Sequence, residues 1–142
     1  MHRDIAPVLA GAVRSWLPAV TNARYVDASV NPASLEVMVK EAATGQWRAA
    51  RHLSQGTREQ IYLLLRAAMA QHLATTGETA LLLLDEVTAQ SDSTRTAEML
   101  AVLHAMSASR QILLFTHDDA AIAWAQANLM APADSFVPLP EP

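Results

Sequence analysis

The chain has 142 residues, of which 51% are hydrophobic, so it is long enough to bury the core of one ordinary domain. Ten Lys and Arg stand against 14 Asp and Glu, and the formal charge of -4 excludes a global basic field for nucleic acid. No Cys is present, which excludes disulfides and thiolate metal sites, and no apolar run approaches the roughly 20 residues of a membrane span. A soluble, cytoplasmic protein without a membrane partner is expected.

The first fifty residues show one helical pattern followed by a strand-like one. From residue 4 to residue 20, apolar side chains recur every three or four positions, which predicts an amphipathic helix that ends near Pro18. The stretches RYVDASV and SLEVMVKEA are rich in β-branched residues, and the turn-forming pair Asn31-Pro32 lies between them. Residues 23–50 are therefore predicted to form a two-stranded antiparallel hairpin.

A long helix is predicted after the loop at Gly45. Thr57 and Gln60 have the spacing of a capping box, which places the helix start just after Gly56, and Thr76-Gly77 is expected to end it. The apolar face of this helix includes Ile61, Leu64, Leu65, Ala68 and Met69.

Two short apolar runs, ALLLLD and QILLF, follow this helix and have the composition of strands buried on both faces of a parallel sheet. Residues 93–107 between them have helical periodicity, so strand, helix and strand predict a parallel βαβ unit. A last helix is expected where Asp118 or Asp119 could act as the cap. The tail, residues 132–142, is predicted to form a short strand around Phe136 and then to fray.

Polar residues stand at the end of each predicted parallel strand. In such sheets ligands bind beyond the carboxyl ends of the strands, where the chain places Asp85-Glu86 and Thr116-His117. A carboxylate pair in this position suits phosphoryl transfer, because one acid can hold Mg²⁺ and the other can orient a water. The alternative is structural: the acids and Asp118-Asp119 would cap helices, and His117 would be a satisfied polar residue.

The LSQGT segment at residues 53–57 opens the long helix and lies 31 positions before Asp85. Ser54 offers a hydroxyl, and Gly56 leaves the backbone amides at the positive end of the helix dipole accessible, which is the composition of an anion site. An ordinary Ser-Gly turn with a capped helix is the alternative for this segment taken alone.

Taken together, these segments resemble the ABC-type ATPases. LSQGT is similar to the ABC signature, LLLLDE at 81–86 to Walker B, VTAQSD at 87–92 to the D-loop, and FTHDD at 115–119 to the switch-histidine loop. REQIYLLLRAAMA after the signature resembles SMC-like and RecF/RecN-like ATPases more than transporter domains. The resemblance implies an α/β fold, the C-terminal half of a P-loop NTPase (ABC ATPase) head, with a parallel βαβ core after an N-terminal helix and antiparallel hairpin.

The resemblance divides one lobe, residues 1–142, into four parts: a helix after a presumed coiled coil (1–22), the hairpin (23–50), the core with signature helix, Walker B and histidine loop (51–131), and the tail (132–142). It implies ATP and Mg²⁺ as cofactors. Asp85 would be the Mg²⁺ ligand, Glu86 the general base, and His117 a contact to the γ-phosphate. The nucleotide of an opposite head would be contacted by Ser54, Gln55, Gly56 and Thr57, while Asp92 communicates across the head dimer.

No Walker A loop is present in these residues, because the single Lys, Lys40, has no Gly before it and the four glycines are scattered. The resemblance accordingly implies two partners, an N-terminal Walker A lobe of the same protein and a second head in a homodimer, and an inactive isolated chain. DNA is an expected partner, in repair, recombination or chromosome maintenance, although no basic groove is visible. A transporter nucleotide-binding fragment and a non-catalytic ABC-like scaffold remain as alternatives.

Overall fold

The computed structural model describes residues 2–75, 77, 81–88 and 91–141. Within them the chain has the expected mixed α/β architecture, and none of the helices there is both long and apolar enough to cross a membrane. The elements in chain order are α1 (His2–Val20), β1 (Tyr25–Val30), β2 (Val37–Glu41), β3 (Trp47–Ala49), a 3₁₀ helix (Ala50–His52), α2 (Gln55–Thr75), β4 (Leu82–Asp85), α3 (Ser93–Met106), β5 (Ile112–Phe115) and α4 (Asp119–Asn128).

The predicted N-terminal helix is present, but it does not end at Pro18. α1 continues to Val20, two residues beyond Pro18, whose fixed φ is compatible with a helix although its ring gives up one i→i−4 hydrogen bond and crowds the preceding turn. The chain then turns back through two residues with positive φ, Asn22 at 52° and Ala23 at 59°, and the Ala23 N–H donates to the Pro18 carbonyl at 2.8 Å. This turn leads into β1, which packs against α1.

The predicted antiparallel hairpin is confirmed, but a third strand extends it. β1 pairs with β2, and β2 pairs with β3. Asn31 builds the first turn, since its Oδ1 accepts from the N–H groups of Ala33 and Ser34 at 2.8 and 3.2 Å. The two-stranded prediction was wrong because β3 is only three residues long and too short to show an alternating pattern. It follows a turn at Gly45, whose φ is 68°.

The side chain of Glu41, at the end of β2, links β2 to the following turn and to β3. Its Oε2 accepts from the Thr44 hydroxyl at 2.7 Å and from Arg48 Nη2 at 3.4 Å. The Thr44 hydrogen bond lowers the pKa of Glu41; removal from water opposes this, and the charges of Arg48 and Arg24 add to the lowering. A carboxyl whose folded pKa is lowered contributes stability above its unfolded pKa of about 4.5, and that stability is lost as the pH falls through the folded pKa.

Glu41→Gln should therefore flatten the pH dependence of stability on the acid side. We expect the urea midpoint of the wild-type chain to fall more steeply than that of the variant between about pH 5 and pH 3. Glu141→Gln, at an exposed site in the tail, is the matched control and should follow the wild type. Equal acid slopes for wild type and Glu41→Gln would contradict the assignment.

α2 begins at Gln55, two residues before the predicted start. Ser54 is the cap: its carbonyl accepts from the Arg58 N–H at 2.9 Å, and its Oγ lies 3.4 Å from the Thr57 N–H. The predicted capping box was wrong because the Thr57 side chain is buried in the first turn and accepts a hydrogen bond from Ser54 Oγ at 2.9 Å. The helix ends at Thr75, close to the predicted end; Thr76 lies outside the described residues.

β4 and β5 are parallel, as expected for a βαβ unit, and α3 connects them. Burial on both faces was a wrong prediction, because the described elements cover only one side of the pair. Leu82 and Leu84 are buried, whereas the opposite face remains open to solvent. We call this face the exposed sheet face; its residues are Leu81, Leu83, Leu113 and Phe115, which are 48%, 53%, 39% and 47% exposed.

The C-terminal part consists of α4 and an extended tail. Asp118 caps α4 by accepting from the Ala120 N–H at 3.0 Å, so the first of the two predicted caps is the one used. The strand expected around Phe136 was wrong, because residues 131–141 pair with no strand in the described chain. Asp134 instead contacts His104 of α3 at 2.9 Å and attaches the start of the tail to the body.

Candidate functional site

The parallel pairing brings the two predicted strand ends together. Asp85 and Phe115 are register partners, and the Glu86 N–H donates to the Phe115 carbonyl at 2.9 Å. The residues that follow each strand therefore leave the sheet side by side. Asp85-Glu86 and Thr116-His117 form one cluster, as the strand-end argument predicted.

Glu86 and His117 are in direct contact at this edge. One carboxylate oxygen, Glu86 Oε1, lies 2.7 Å from the His117 backbone nitrogen and 2.6 Å from its Nδ1. Because an ionised carboxylate only accepts hydrogen bonds, Nδ1 carries the proton in this pair. The His117 ring is 92% exposed, so Nε2 is accessible to a ligand, whereas the Glu86 side chain is only 28% exposed.

The backbone of Glu86 is strained. Its φ of 53° lies in the left-handed region, which costs a residue other than glycine on the order of 1 kcal/mol or more. The other carboxylate oxygen, Oε2, is 3.4 Å from the Thr116 hydroxyl, which in turn accepts from the Asp118 N–H at 3.0 Å. The loop after β5 thus surrounds the carboxylate and holds it in place.

Asp85 differs from its neighbour, because its side chain is exposed and makes no hydrogen bond or ion pair within the described residues. Nor do those residues contain a cluster of three or more His, Cys, Asp or Glu that could hold a metal by itself. An accessible, unpaired carboxylate suits Mg²⁺, which is commonly held by one or two carboxylates and completes its shell with water and substrate phosphates.

The signature segment forms a second cluster at the start of α2. Ser54 and Gln55 are exposed, and the N–H groups of Gln55 and Gly56 belong to the first helical turn, where the backbone has no intrahelical acceptor. Ser54 Oγ already contacts Thr57, so the buried Thr57 supports the loop. Gly56 is buried, unlike the accessible position predicted for it, so the exposed groups at the start of this 21-residue helix belong to Ser54 and Gln55.

Asp92 lies next to the signature helix. Its Oδ1 accepts from the Arg95 N–H at 2.8 Å and caps α3, and its Oδ2 lies 3.7 Å from Arg95 Nε. Asp92 and Arg95 line a cleft of about 380 Å³ together with Thr57 and Gln60 of α2. The sequence patterns did not predict this cleft, because its walls come from segments far apart in the chain.

The structure therefore arranges the predicted residues in two groups. Asp85, Glu86 and His117 lie at the sheet edge, and no hydrogen bond or ion pair in the described chain joins them to the signature residues 54–57. Asp92 lies beside the signature helix rather than in the Glu86–His117 cluster.

Comparison with solved structures identifies the fold. An SMC ATPase studied for its ATP-driven dimerization and DNA-stimulated activation matches with a TM-score of 0.66 at 18% identity, over 87% of this chain and 74% of that one. The Pyrococcus furiosus Smc head, bound to the C-terminal domain of ScpA, matches at 0.63 and 17% over 83% of this chain and 30% of that one. The Thermotoga maritima SMC head matches at 0.61 and 15%, over 82% and 40%. The fold is that of an SMC-type ABC ATPase head fragment, and the chain spans less than half of the latter two proteins.

Comparison of the sequence identifies the family. The model of the SbcC/RAD50-like family, Walker B motif, matches residues 30–105, more than half of the chain. The chain belongs to this family, and the matched range contains LSQGT, Asp85, Glu86 and Asp92. His117 lies outside it, so its placement beside Glu86 rests on the structure. No curated protein matches the chain in sequence.

Proposed function

We propose that residues 1–142 form the C-terminal lobe of an ATPase head, which binds and hydrolyses ATP between two such heads. The observation that carries the proposal is the contact between Glu86 Oε1 and the Nδ1 of His117, 2.6 Å, at the carboxyl ends of two parallel strands. A half-buried acceptor beside an exposed imidazole can take a proton from water while the imidazole contacts a phosphate. A purely structural cap would not need this pairing.

Each residue at the sheet edge has a separate task. Asp85, which has no partner within the described residues, would hold Mg²⁺; the metal, once bound, would neutralise phosphate charge. Glu86 would orient the attacking water and accept its proton. His117 donates from Nδ1 to Glu86, and its exposed Nε2 would donate to the γ-phosphate when that nitrogen also carries a proton, because a phosphate oxygen accepts hydrogen bonds.

The signature cluster would act on the nucleotide of the opposite head. Ser54 would supply its hydroxyl, and Gln55 and Gly56 would supply N–H groups that have no intrahelical acceptor, to an anion such as the γ-phosphate. The buried Thr57, whose N–H bonds to Ser54 Oγ, would support this loop. Gln55 and Thr57 depart from the commoner LSGGQ signature, but the Ser and the second Gly are retained. Asp92, at the start of α3, would transmit contact between heads.

The missing parts of the site define the proposed partners. Lys40 lies within β2 rather than in a glycine-rich loop, so a Walker A loop would come from an N-terminal lobe of the same protein. A second copy of the complete head would bring its own signature. By itself the chain would not hydrolyse ATP. DNA repair, recombination and chromosome maintenance are the processes we propose, with DNA as the larger partner.

Ser54→Asp in a complete head tests the proposed contact between heads. Asp is as good a helix cap as Ser, so α2 should keep its start, but its charge would repel a γ-phosphate. We expect ATP-dependent head dimers to be lost in sedimentation velocity, with a melting temperature within about 2 °C of wild type. Nucleotide binding to the variant's own head should persist in a filter or calorimetric assay.

The control is Ser135→Asp, at an exposed position of the tail, which adds the same charge outside both groups of site residues. It should dimerise as the wild type does. ATP-dependent dimers of normal stability in Ser54→Asp would remove the signature segment from the head interface. Tight ATP binding by the isolated 142 residues would contradict the half-site proposal itself.

A further inference from the structure

A partly buried hydrogen bond joins the loop after β4 to the loop after β5. Thr88 Oγ1 donates to Asp118 Oδ2 at 2.8 Å, although the two residues are 30 positions apart in sequence. Thr88 is only 1% exposed, so its hydroxyl has left water for this single partner. Capping does not explain the bond, because Asp118 caps α4 through its other oxygen, Oδ1.

This bond closes a ring of contacts around Glu86. Asp118 N–H donates to Thr116 Oγ1, Thr116 Oγ1 donates to Glu86 Oε2, and His117 contacts Glu86 Oε1 with both its backbone and its ring nitrogen. Thr88, two residues after Glu86, returns to Asp118 and completes the ring. Loss of any one of these hydrogen bonds removes one of the attachments that hold the loop after β5 against Glu86.

The ring of contacts can hold Glu86 in its strained backbone conformation. A residue other than glycine remains in the left-handed region only where its surroundings hold it there. The Glu86 N–H is fixed by the Phe115 carbonyl at 2.9 Å on one side. On the other side Thr88 is the first fully buried side chain after it, and Asp118 is its hydrogen-bond partner.

We propose that Thr88 and Asp118 are positioning residues: their hydrogen bond holds the strained Glu86 in line with His117, and thereby sets the geometry of the hydrolytic pair. The catalytic consequence rests on the ATPase function proposed above. The structural consequence does not, because it concerns contacts within the 142-residue chain and can be measured without nucleotide.

Two substitutions at position 88 separate the hydroxyl from the methyl group. Thr88→Val keeps the shape of the side chain and removes the donor, whereas Thr88→Ser keeps the donor. Thr96 is the matched control, since it is also 1% exposed, while its hydroxyl has no hydrogen-bond partner among the described residues. Thr96→Val therefore makes the same chemical change at equal burial without breaking a hydrogen bond.

The first measurement is hydrogen exchange of the full 142-residue chain, resolved to single residues by mass spectrometry. The His117 N–H reports the ring, because its acceptor is Glu86 Oε1. We expect its exchange to accelerate roughly 3- to 10-fold in Thr88→Val, the factor that one net hydrogen bond corresponds to. Thr88→Ser and Thr96→Val should stay near wild type, and so should the Ala120 N–H, which bonds to the other oxygen of Asp118.

The second measurement is steady-state ATP hydrolysis by the complete head. Thr88→Val should lower kcat about tenfold at unchanged KM, and Thr88→Ser should restore it, because the residue acts on Glu86 and not on nucleotide binding.

Unchanged His117 exchange in Thr88→Val overturns the proposal, whatever the activity. Faster exchange with wild-type kcat also overturns it, provided that Glu86→Gln abolishes turnover. If Glu86→Gln leaves turnover unchanged, the proposed function fails instead, and the exchange result still decides whether the ring holds the loop.

Discussion

Glu86→Gln in a complete head is expected to lower kcat for ATP hydrolysis by about 10²- to 10⁴-fold, the range for loss of a general base. The amide oxygen of Gln can still accept from the His117 N–H, so the loop after β5 should keep its place. The amide cannot take the proton of the attacking water. ATP binding should therefore be retained, and ATP-bound head dimers should last longer, which gel filtration and a phosphate-release assay measure together.

Glu141→Gln makes the same chemical change in the exposed tail and should turn over ATP like the wild type. It controls for a general effect of removing one carboxylate. Wild-type turnover in Glu86→Gln would exclude Glu86 as the base and leave its contact with His117 as a structural feature of the loop.

The isolated chain is expected to self-associate through the exposed sheet face, unless an N-terminal lobe covers it. Four large apolar side chains on this face are 39% to 53% exposed, and β4 and β5 pair only with each other within the described chain. Moving the open half of these side chains out of water would contribute about 3–6 kcal/mol. An unpaired parallel strand also presents free backbone donors and acceptors along its edge.

Leu83→Lys places a charge in the middle of this face. We expect it to raise the dissociation constant of self-association by about tenfold or more in sedimentation velocity, and to weaken capture by the N-terminal lobe. Val26→Lys is the matched control, because Val26 is 41% exposed on a strand of the other sheet. A monodisperse wild-type monomer with nothing covering the exposed sheet face would contradict this prediction.

Local patterns predicted most elements because each depends on neighbours in sequence. The periodicity of α1 and α3 and the Asn31 turn all follow from side chains within a few positions of one another. The wrong predictions concern elements whose formation depends on contacts between residues far apart in the sequence. β3 exists because β2 lies next to it, and the strand predicted at Phe136 is absent because residues 131–141 have no strand to pair with in the described chain.

In the candidate site, too, some residues could be predicted from the sequence and some contacts could not. Asp85, Glu86, His117 and the LSQGT segment could be chosen from sequence, since each follows a strand or opens a helix. The pairing of Thr88 with Asp118 could not, because nothing local marks two residues 30 positions apart as partners. The cap of α2 was misplaced for a related reason: burial of Thr57, a tertiary effect, leaves Ser54 as the cap.

By itself, the sequence determined the order of the motifs and which residues are candidates for phosphate chemistry, because motif composition and helix or strand periodicity are local properties. The tertiary structure decided how these residues meet. It placed the Glu86 carboxylate 2.6 Å from the His117 ring and left the signature segment without a bond to either residue in the described chain. It also left one face of the β4–β5 pair open. Such distances and exposures depend on parallel pairing and packing between segments far apart in the chain, and periodicity along a single segment carries no record of them.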